Sequence, residues 1–192
     1  MFLDPRFKTA LVGAAAAAGR PRAVPIVGHA WERVLAEACS AYDPAKRLEW
    51  DPKSNRSGVD VRYDGVGYSC KTTRFRSAEH PRRVVTPSYK LARCRTHADA
   101  ILEIDRPHRH NFQFYAILAR KHGAAGDADA LIQYEVHTPS SELTLARRFD
   151  WDMQDGRLLT DWRDGVRMEI RMENEKRRLI ITWTLGDPVI EL

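Results

Sequence analysis

The chain has few cysteines and lacks any long apolar run. Only Cys39, Cys70 and Cys94 are present among 192 residues, an odd number without a Cys-x-x-Cys pair. This pattern argues against a disulfide framework and against a structural zinc site. No stretch of about 18 apolar residues occurs, so the sequence predicts no membrane-spanning helix. The Ala-rich opening segment carries an early acidic residue and is interpreted as a helix, not a signal peptide. We therefore expect a cytoplasmic protein.

Internal repeats, low-complexity tails and obvious linkers are also missing, which favours one domain over residues 1–192. With 43% hydrophobic and 30% charged residues, the chain can bury a core of its own. The net charge is +5, and arginine outnumbers lysine. The guanidinium group matches pairs of phosphate oxygens, so this surplus favours phosphate recognition. A modest positive charge is also common in proteins that never touch nucleic acid.

Local patterns predict a mixture of helices and strands. Helices are predicted at 5–18, with Pro5 in the first turn, at 26–42, and at 86–100, where Thr86 would cap the helix and Pro87 would begin it. A short helix is predicted at 140–149. Segments rich in β-branched and aromatic residues predict strands at 100–105, 112–120 and 130–138, and a C-terminal hairpin that turns around Asn174.

Residues 26–42 show the clearest helical periodicity in the chain. Glu32 falls on the margin of the apolar stripe, and His29 lies opposite it. The stripe consists of Val27, Ala30, Trp31, Val34, Leu35 and Ala38.

Residues 59–73 predict a tight β-hairpin that turns at Asp64-Gly65, because this dipeptide suits the positive φ angles of a type I′ turn. Pairing Tyr63 with Val66 places Asp60 opposite Ser69, and side-chain alternation puts Lys71 on the same face. The other face is predicted to point to the core; it carries Val59, Val61, Tyr63, Val66, Tyr68 and Cys70.

The segments "GVD" and "YSCKT" resemble the strand pair of the PD-(D/E)xK nuclease superfamily, which includes type II restriction endonucleases and Holliday-junction resolvases. The preceding "GHAWERVLAEA" is similar to the Gly-x-x-x-Glu pattern on the first helix of many members. The resemblance implies that Asp60 is the aspartate of the motif, Lys71 its lysine, and Glu32 an extra carboxylate. It covers roughly residues 25–105.

Ser69 departs from the family pattern, because a metal-binding Glu or Asp normally occupies its position. Some restriction enzymes of the superfamily carry a Ser-x-Lys variant, with the missing acid supplied by a neighbouring helix. Glu32, Glu79 and Glu103 are candidates for that acid, and the helix motif favours Glu32. The resemblance implies a Mg²⁺ site on Asp60 and Glu32, with Lys71 orienting or deprotonating the attacking water or stabilising charge.

The residue patterns predict one α+β domain with an additional C-terminal hairpin. The resemblance implies a restriction-endonuclease-like core at about 25–120, with a central mixed sheet flanked by helices. The implied function is Mg²⁺-dependent, sequence-specific cleavage of double-stranded DNA by a prokaryotic, cytoplasmic homodimer. Residues 121–192 would then supply recognition or dimerisation elements. Two alternatives stay open: a protein that binds nucleic acid without cleaving it, and a structure-specific resolvase or repair nuclease.

Several further residues have both a functional and a plain interpretation. His108 and His110 share a His-x-His spacing, yet further ligands at useful spacing are missing, which favours an ordinary polar loop. Cys70 is expected to be a buried, unreactive side chain. Trp151, Trp162 and Trp183 are expected in the core. Arg147 and Arg148 could contact DNA or form an ordinary basic face. The predicted phosphate contacts in the basic loop are Arg74, Arg76, Arg82 and Arg83.

Overall fold

Helices and strands are mixed along the chain. The computed structural model describes residues 1–18, 25–51, 58–75, 82–91, 94–121, 132–172 and 177–192. The helices of these residues are α1 (Pro5–Ala18), α2 (His29–Tyr42) and α3 (His97–Ile104), with 3-10 turns at Ser141–Thr144 and Ala146–Arg148. The strands are β1 (Leu48–Glu49), β2 (Val61–Tyr63), β3 (Val66–Arg74), β4 (Arg83–Lys90), β5 (Phe114–Arg120), β6 (Tyr134–His137), β7 (Trp151–Gln154), β8 (Arg157–Thr160), β9 (Val166–Arg171), β10 (Arg178–Thr184) and β11 (Ile190–Glu191).

The strands form two sheets. The first has the order β1-β2-β3-β5-β6-β11 and is mixed, because β3 and β5 run parallel while its other pairs are antiparallel. The second is antiparallel throughout, in the order β4-β10-β9-β8-β7. The chain therefore crosses from one sheet to the other between β3 and β4.

Two hydrophobic cores lie on opposite faces of the first sheet. On one face, α1 and α2 bury Phe7, Leu11 and Trp31 against β2 and β3. On the other face, α3 and the second sheet bury Ile104 and Trp183 against β5. The expected α+β class, with a central mixed sheet and helices packed on it, is confirmed.

Most of the helix and strand predictions are confirmed. Helix 5–18 matches α1, and strands 112–120 and 130–138 contain β5 and β6. The short helix at 140–149 is present as the two 3-10 turns. The C-terminal hairpin exists as the antiparallel pair β9 and β10, and its predicted turn at Asn174 lies outside the described residues.

The predicted helix 86–100 is wrong in its first half. Residues up to Lys90 belong to β4, where Thr86 is buried and its Oγ1 accepts a hydrogen bond from Trp183 Nε1 at 2.9 Å. Pro87 is tolerated because β4 is an edge strand of the second sheet. Helix α3 begins only at His97, after a capping box between Thr96 and Asp99.

Three smaller expectations are corrected by the same structure. Residues 100–105, predicted as a strand, continue α3 to Ile104. Helix α2 begins at His29 and not at residue 26, because Gly28 has a φ of 47° that α-helical backbone does not adopt. Val27 is therefore 61% exposed and does not join the apolar stripe. Trp162 is also exposed, although Trp183 is buried as expected.

Within the parts of the chain that the structure describes, no helix is long and apolar enough to cross a membrane.

Candidate active site

The hairpin that carries the candidate site has the predicted turn and register. Asp64 and Gly65 have φ angles of 51° and 81°, as a type I′ turn requires. Tyr63 pairs with Val66, and Val61 pairs with Tyr68. Continuing this register by one step places Asp60 opposite Ser69, just before β2 begins.

One face of the hairpin meets the predicted core, with one exception. Val61, Tyr63, Tyr68 and Cys70 are buried beneath α1 and α2. Val59 was expected among them but packs on the second core instead, because the chain bends at Asp60 and the strict alternation of a strand stops there.

Asp60, Ser69 and Lys71 form one hydrogen-bonded cluster. Lys71 Nζ donates to Ser69 Oγ at 2.8 Å, and Ser69 Oγ donates to Asp60 Oδ2 at 3.2 Å. Lys71 Nζ lies 3.7 Å from Asp60 Oδ2, within ion-pair distance. The backbone N–H of Cys70 also donates to Asp60 Oδ2 at 2.6 Å. The structure thus brings the predicted acid and base together around the serine.

Burial divides the roles within this cluster. The side chains of Asp60 and Lys71 are 21% and 20% exposed, so both are partly accessible to solvent. Ser69 is only 3% exposed and its hydroxyl bonds both neighbours. A substrate cannot reach Ser69 Oγ for nucleophilic attack, so the serine is placed to hold the two charged side chains in position.

The Asp60 carboxyl is poorly compensated for its burial. Removal from water raises its pKa above the usual value, and this effect outweighs the Lys71 charge and the Cys70 N–H, which lower it. The nearby Glu32 carboxylate raises the pKa of Asp60 further. Added positive charge, such as a cation bound beside Asp60, would favour the ionised form of this carboxyl.

Helix α2 carries Glu32, whose charge acts on Asp60 of the cluster. The N–H of Gly28, just before the helix, donates to Thr72 Oγ1 at 3.2 Å, which ties the start of α2 to β3 beside Lys71. Glu32 lies in the first turn of α2 and is half-buried. Its carboxylate acts electrostatically on both Asp60 and His29.

His29 is a site neighbour that sequence reasoning missed. Its Nδ1 lies 3.0 Å from Glu32 Oε2, and this contact raises the pKa of His29. The imidazole is otherwise largely exposed. The signal was present in the sequence as a His and a Glu three residues apart at a helix start, where side chains at i and i+3 meet.

The other candidate acids are placed differently. Glu103 lies at the centre of a separate ionic cluster, within 3.2 Å of Arg106, His108 and Arg109. Its carboxylate is occupied there. Glu79 lies outside the described residues. Of the two candidate acids that the structure describes, Glu32 is the one whose charge acts on Asp60.

The described arginines of the predicted phosphate loop have different surroundings. Arg82 pairs with Asp187 at 2.8 Å. Arg83 stacks over the Trp162 ring at 4.9 Å, on the second sheet. Arg74 is exposed at the end of β3, and Arg76 lies outside the described residues.

The carboxylates present can be tested against the needs of Mg²⁺. In the described ranges, no group of three or more His, Cys, Asp or Glu side chains is arranged to hold a metal ion. Mg²⁺ requires less, since it is commonly held by one or two carboxylates with water and substrate phosphates completing its octahedron. In these contacts Asp60 accepts through Oδ2, and Glu32 meets His29 through Oε2. Carboxylate oxygens of this kind suit magnesium, and the charge of Glu32 acts on Asp60.

No protein-family model, curated protein or solved structure matches this chain. The likeness to PD-(D/E)xK nucleases therefore rests on the residues themselves. What the structure adds is the contact of an acid, a lysine and a linking serine at the start of a hairpin, with a helical glutamate beside them.

Proposed function

We propose that this chain is a Mg²⁺-dependent DNA endonuclease of the PD-(D/E)xK type, which hydrolyses phosphodiester bonds in double-stranded DNA. The observation that supports the proposal is the 3.7 Å approach of Lys71 Nζ to Asp60 Oδ2, bridged by Ser69 and flanked by Glu32. A carboxylate pair with an adjacent ammonium is suited to a substrate that carries a negative phosphate.

Asp60 and Glu32 would hold the ion in this proposal. When bound there, Mg²⁺ would supply positive charge against the phosphate and lower the pKa of a coordinated water. Its charge would also relieve the unfavourable burial of the Asp60 carboxylate.

Lys71 is positioned to bind the reacting phosphate. Its ammonium has three N–H donors; one goes to Ser69 Oγ at 2.8 Å and one to the Cys70 carbonyl oxygen at 3.0 Å. The third can donate to a phosphate oxygen or to the attacking water. Because its direction is fixed by the first two, the ammonium stabilises charge that develops in the transition state without having to reorganise.

The overall reaction balances without any further co-reactant. Water adds to phosphorus, the bond from phosphorus to the 3′ oxygen breaks, and that oxygen leaves with a proton. The products are a 5′-phosphate and a 3′-hydroxyl. Within this scheme Ser69 is a positioning residue, since it touches Asp60 and Lys71 but is closed off from substrate.

The direct test is incubation of the purified protein with supercoiled plasmid and Mg²⁺. We expect cleavage by the wild type, and Lys71→Ala should lose it by at least about a thousandfold while DNA binding survives. Lys46→Ala is the matched control, because Lys46 sits in a more exposed ion pair with Asp64 at 2.5 Å. Full cleavage by Lys71→Ala would remove Lys71 from the mechanism.

A non-cleaving nucleic-acid-binding protein is the second candidate, and Ser69 is the observation that favours it. Without an acid at this position, the described residues offer two carboxylates and no third ligand of the same kind. The plasmid experiment separates the two functions, because retarded migration without nicking or linearisation under Mg²⁺ would support binding alone.

Sequence-specific cleavage would carry a further expectation about assembly. A palindromic site is read by a two-fold symmetric protein, so discrete plasmid fragments should be accompanied by a homodimer in analytical ultracentrifugation. Random nicking by a monomer would instead favour a structure-specific or non-specific nuclease.

A further inference from the structure

The chain bends just before the hairpin, and the loop that follows α3 holds this bend. Gly58 and Asp60 both lie at bends, outside the regular pairing of β2. Between them, the backbone N–H of Val59 donates to Asn111 Oδ1 at 2.9 Å. Asn111 lies between α3 and β5, 52 residues further along the chain than Val59. The residue that leads directly into Asp60 is therefore held by a side chain from a different part of the fold.

The backbone around Asp60 is attached on both sides of the bend. The N–H of Asp60 donates to the carbonyl oxygen of Tyr68 at 2.8 Å, which attaches Asp60 to β3. One residue earlier, Asn111 accepts the N–H of Val59, and the Val59 side chain packs against the second core. The direction in which the Asp60 side chain leaves the backbone depends on both attachments.

Gly58 shows how closely the two segments approach each other. Its φ is 102°, in the left-handed region that favours glycine. A Cβ atom at this position would overlap Asn111 Oδ1 and would lie 3.0 Å from the carbonyl oxygen of His108. Because glycine lacks this atom, Asn111 can approach closely enough to accept the Val59 N–H.

Arg62 ties the same loop to the hairpin a second time. Its Nη2 donates to the backbone oxygen of Asn111 at 2.8 Å, and its Nη1 donates to the carbonyl oxygen of Gly65 at 3.0 Å. The guanidinium group therefore connects the turn of the hairpin to the backbone of Asn111. With its backbone held in this way, Asn111 presents Oδ1 to Val59 from a defined position.

We propose that Asn111 is a positioning residue for the proposed active site, which holds the Asp60 carboxylate against Ser69. The catalytic consequence rests on the proposed nuclease function, whereas the contact itself does not. Asp60 Oδ2 accepts from Ser69 Oγ at 3.2 Å and from the Cys70 N–H at 2.6 Å, so moving the bend outward by about 1 Å would break both bonds. A misplacement of about 1 Å can cost about a hundredfold in rate, even when the substituted residue is remote from the chemistry.

Gln113 offers a matched control on the same loop. Its Oε1 accepts the backbone N–H of Gly67 at 2.6 Å, so it is also an amide side chain bonded to one N–H of the hairpin. The backbone N–H of Gln113 donates to the Gly67 carbonyl oxygen at 2.9 Å, and this bond is retained when the side chain is removed. Asn111→Ala and Gln113→Ala therefore each remove one bond of the same kind, but only the first of these bonds leads to Asp60.

Amide hydrogen exchange followed by NMR tests the contact without any need for activity. In metal-free buffer, Asn111→Ala should speed exchange of the Val59 and Asp60 N–H groups at least about tenfold, whereas Gln113→Ala should leave both within about threefold of the wild type. Unchanged exchange of these two groups in Asn111→Ala would overturn the proposal, whether or not the protein cleaves DNA.

Plasmid cleavage over a series of Mg²⁺ concentrations tests the catalytic consequence. Asn111→Ala should lower the maximal rate by about ten- to a hundredfold and raise the Mg²⁺ concentration for half-maximal cleavage, because Asp60 is a proposed ligand of the ion. Gln113→Ala should stay within about threefold of the wild type, and so should Asn111→Asp, which keeps an oxygen acceptor in the same place.

Two results of the cleavage experiment have different meanings. Equal rates and equal Mg²⁺ dependence in Asn111→Ala and Gln113→Ala would overturn the positioning role. Absence of cleavage by the wild type would contradict the nuclease proposal, and the hydrogen-exchange result would still support or overturn the role of Asn111 in holding Asp60.

Discussion

Two half-buried carboxylates in this protein sit in opposite electrostatic environments. Asp60 and Glu103 are 21% and 15% exposed, and both have basic neighbours. Burial raises the pKa of each. For Glu103 the hydrogen bond and charge of Arg109, with Arg106 and His108, outweigh burial and hold the pKa below its usual value. For Asp60 burial outweighs Lys71, and the pKa is raised.

The opposite pKa shifts suggest different roles: Glu103 stabilises the fold, whereas Asp60 belongs to the proposed functional site. The basic partners of Glu103, which are Arg106, His108 and Arg109, all lie in the segment that follows α3. Such close compensation is typical of an ion cluster that stabilises the fold. Asp60 has one lysine and a second carboxylate nearby, so its burial is only partly offset there. Acids kept in this state at a cost to stability are typical of functional sites.

The largest expected effect separates the two acids by catalysis. Asp60→Asn should reduce Mg²⁺-dependent plasmid cleavage by at least about a thousandfold, because it removes a proposed ligand of the ion. Glu103→Gln should remain within about threefold of the wild type, since its contacts lie outside the Asp60 cluster. Initial rates under single-turnover conditions measure both. A strong loss of cleavage rate in Glu103→Gln would instead indicate that Glu103 supplies the acid that is missing at Ser69.

The second prediction concerns the free energy of unfolding, for which Glu103→Gln should have a larger effect than Asp60→Asn. In metal-free buffer, Glu103→Gln should lower the free energy of unfolding by about 1 to 2 kcal/mol, mainly because the ion pairs of Glu103 with Arg109 and Arg106 are lost. Asp60→Asn should leave the free energy unchanged or raise it by up to about 1 kcal/mol, because a neutral amide is buried in place of a charge.

Urea denaturation at neutral pH measures both free energies. A clear loss of stability in Asp60→Asn, comparable with that of Glu103→Gln, would show that the two carboxylates play the same structural role. It would contradict the contrast drawn between Asp60 and Glu103.

The smallest expected effect is a difference in pH dependence. The stabilising contribution of Glu103 is fully present above its unfolded pKa near 4.5 and is lost as the pH falls through its lower folded pKa. The contribution of Asp60 is fully present below its unfolded pKa near 3.8 and is lost as the pH rises through its higher folded pKa. Lowering the pH from neutral should thus narrow the stability gap between wild type and Glu103→Gln.

The same change in pH should favour the wild type increasingly over Asp60→Asn. Urea midpoints at several pH values measure the two differences, and other titrating groups largely cancel between each variant and the wild type. If the stability difference from the wild type changed with pH in the same way for both variants, the opposite pKa shifts of Asp60 and Glu103 would be contradicted.

Local sequence signals predicted the geometry of the hairpin that carries the candidate site. The turn at Asp64-Gly65 and the alternation around it depend on neighbouring residues only, and the register they predict is confirmed. Asp155-Gly156 carries the same signal: both residues again have positive φ and join β7 to β8. That dipeptide is a local sign of one hairpin of the second sheet.

Other features depend on contacts that are distant in sequence. Thr86 and Pro87 look like a helix start, but Trp183 Nε1 reaches Thr86 from almost a hundred residues away and the segment pairs with β10. Likewise, no local pattern shows that Arg171 and Arg178 align. In both places, pairing with a distant strand determines the structure and overrides the local propensity.

Strand β5 has side chains in both cores: Ala116 and Leu118 pack beneath α2, whereas Tyr115, Ile117 and Ala119 pack toward the second sheet. Neither half of the molecule can melt while leaving this strand in its native surroundings. The energetic consequence is cooperativity: damage to one layer is felt by the other, and the two layers unfold as a single thermodynamic unit.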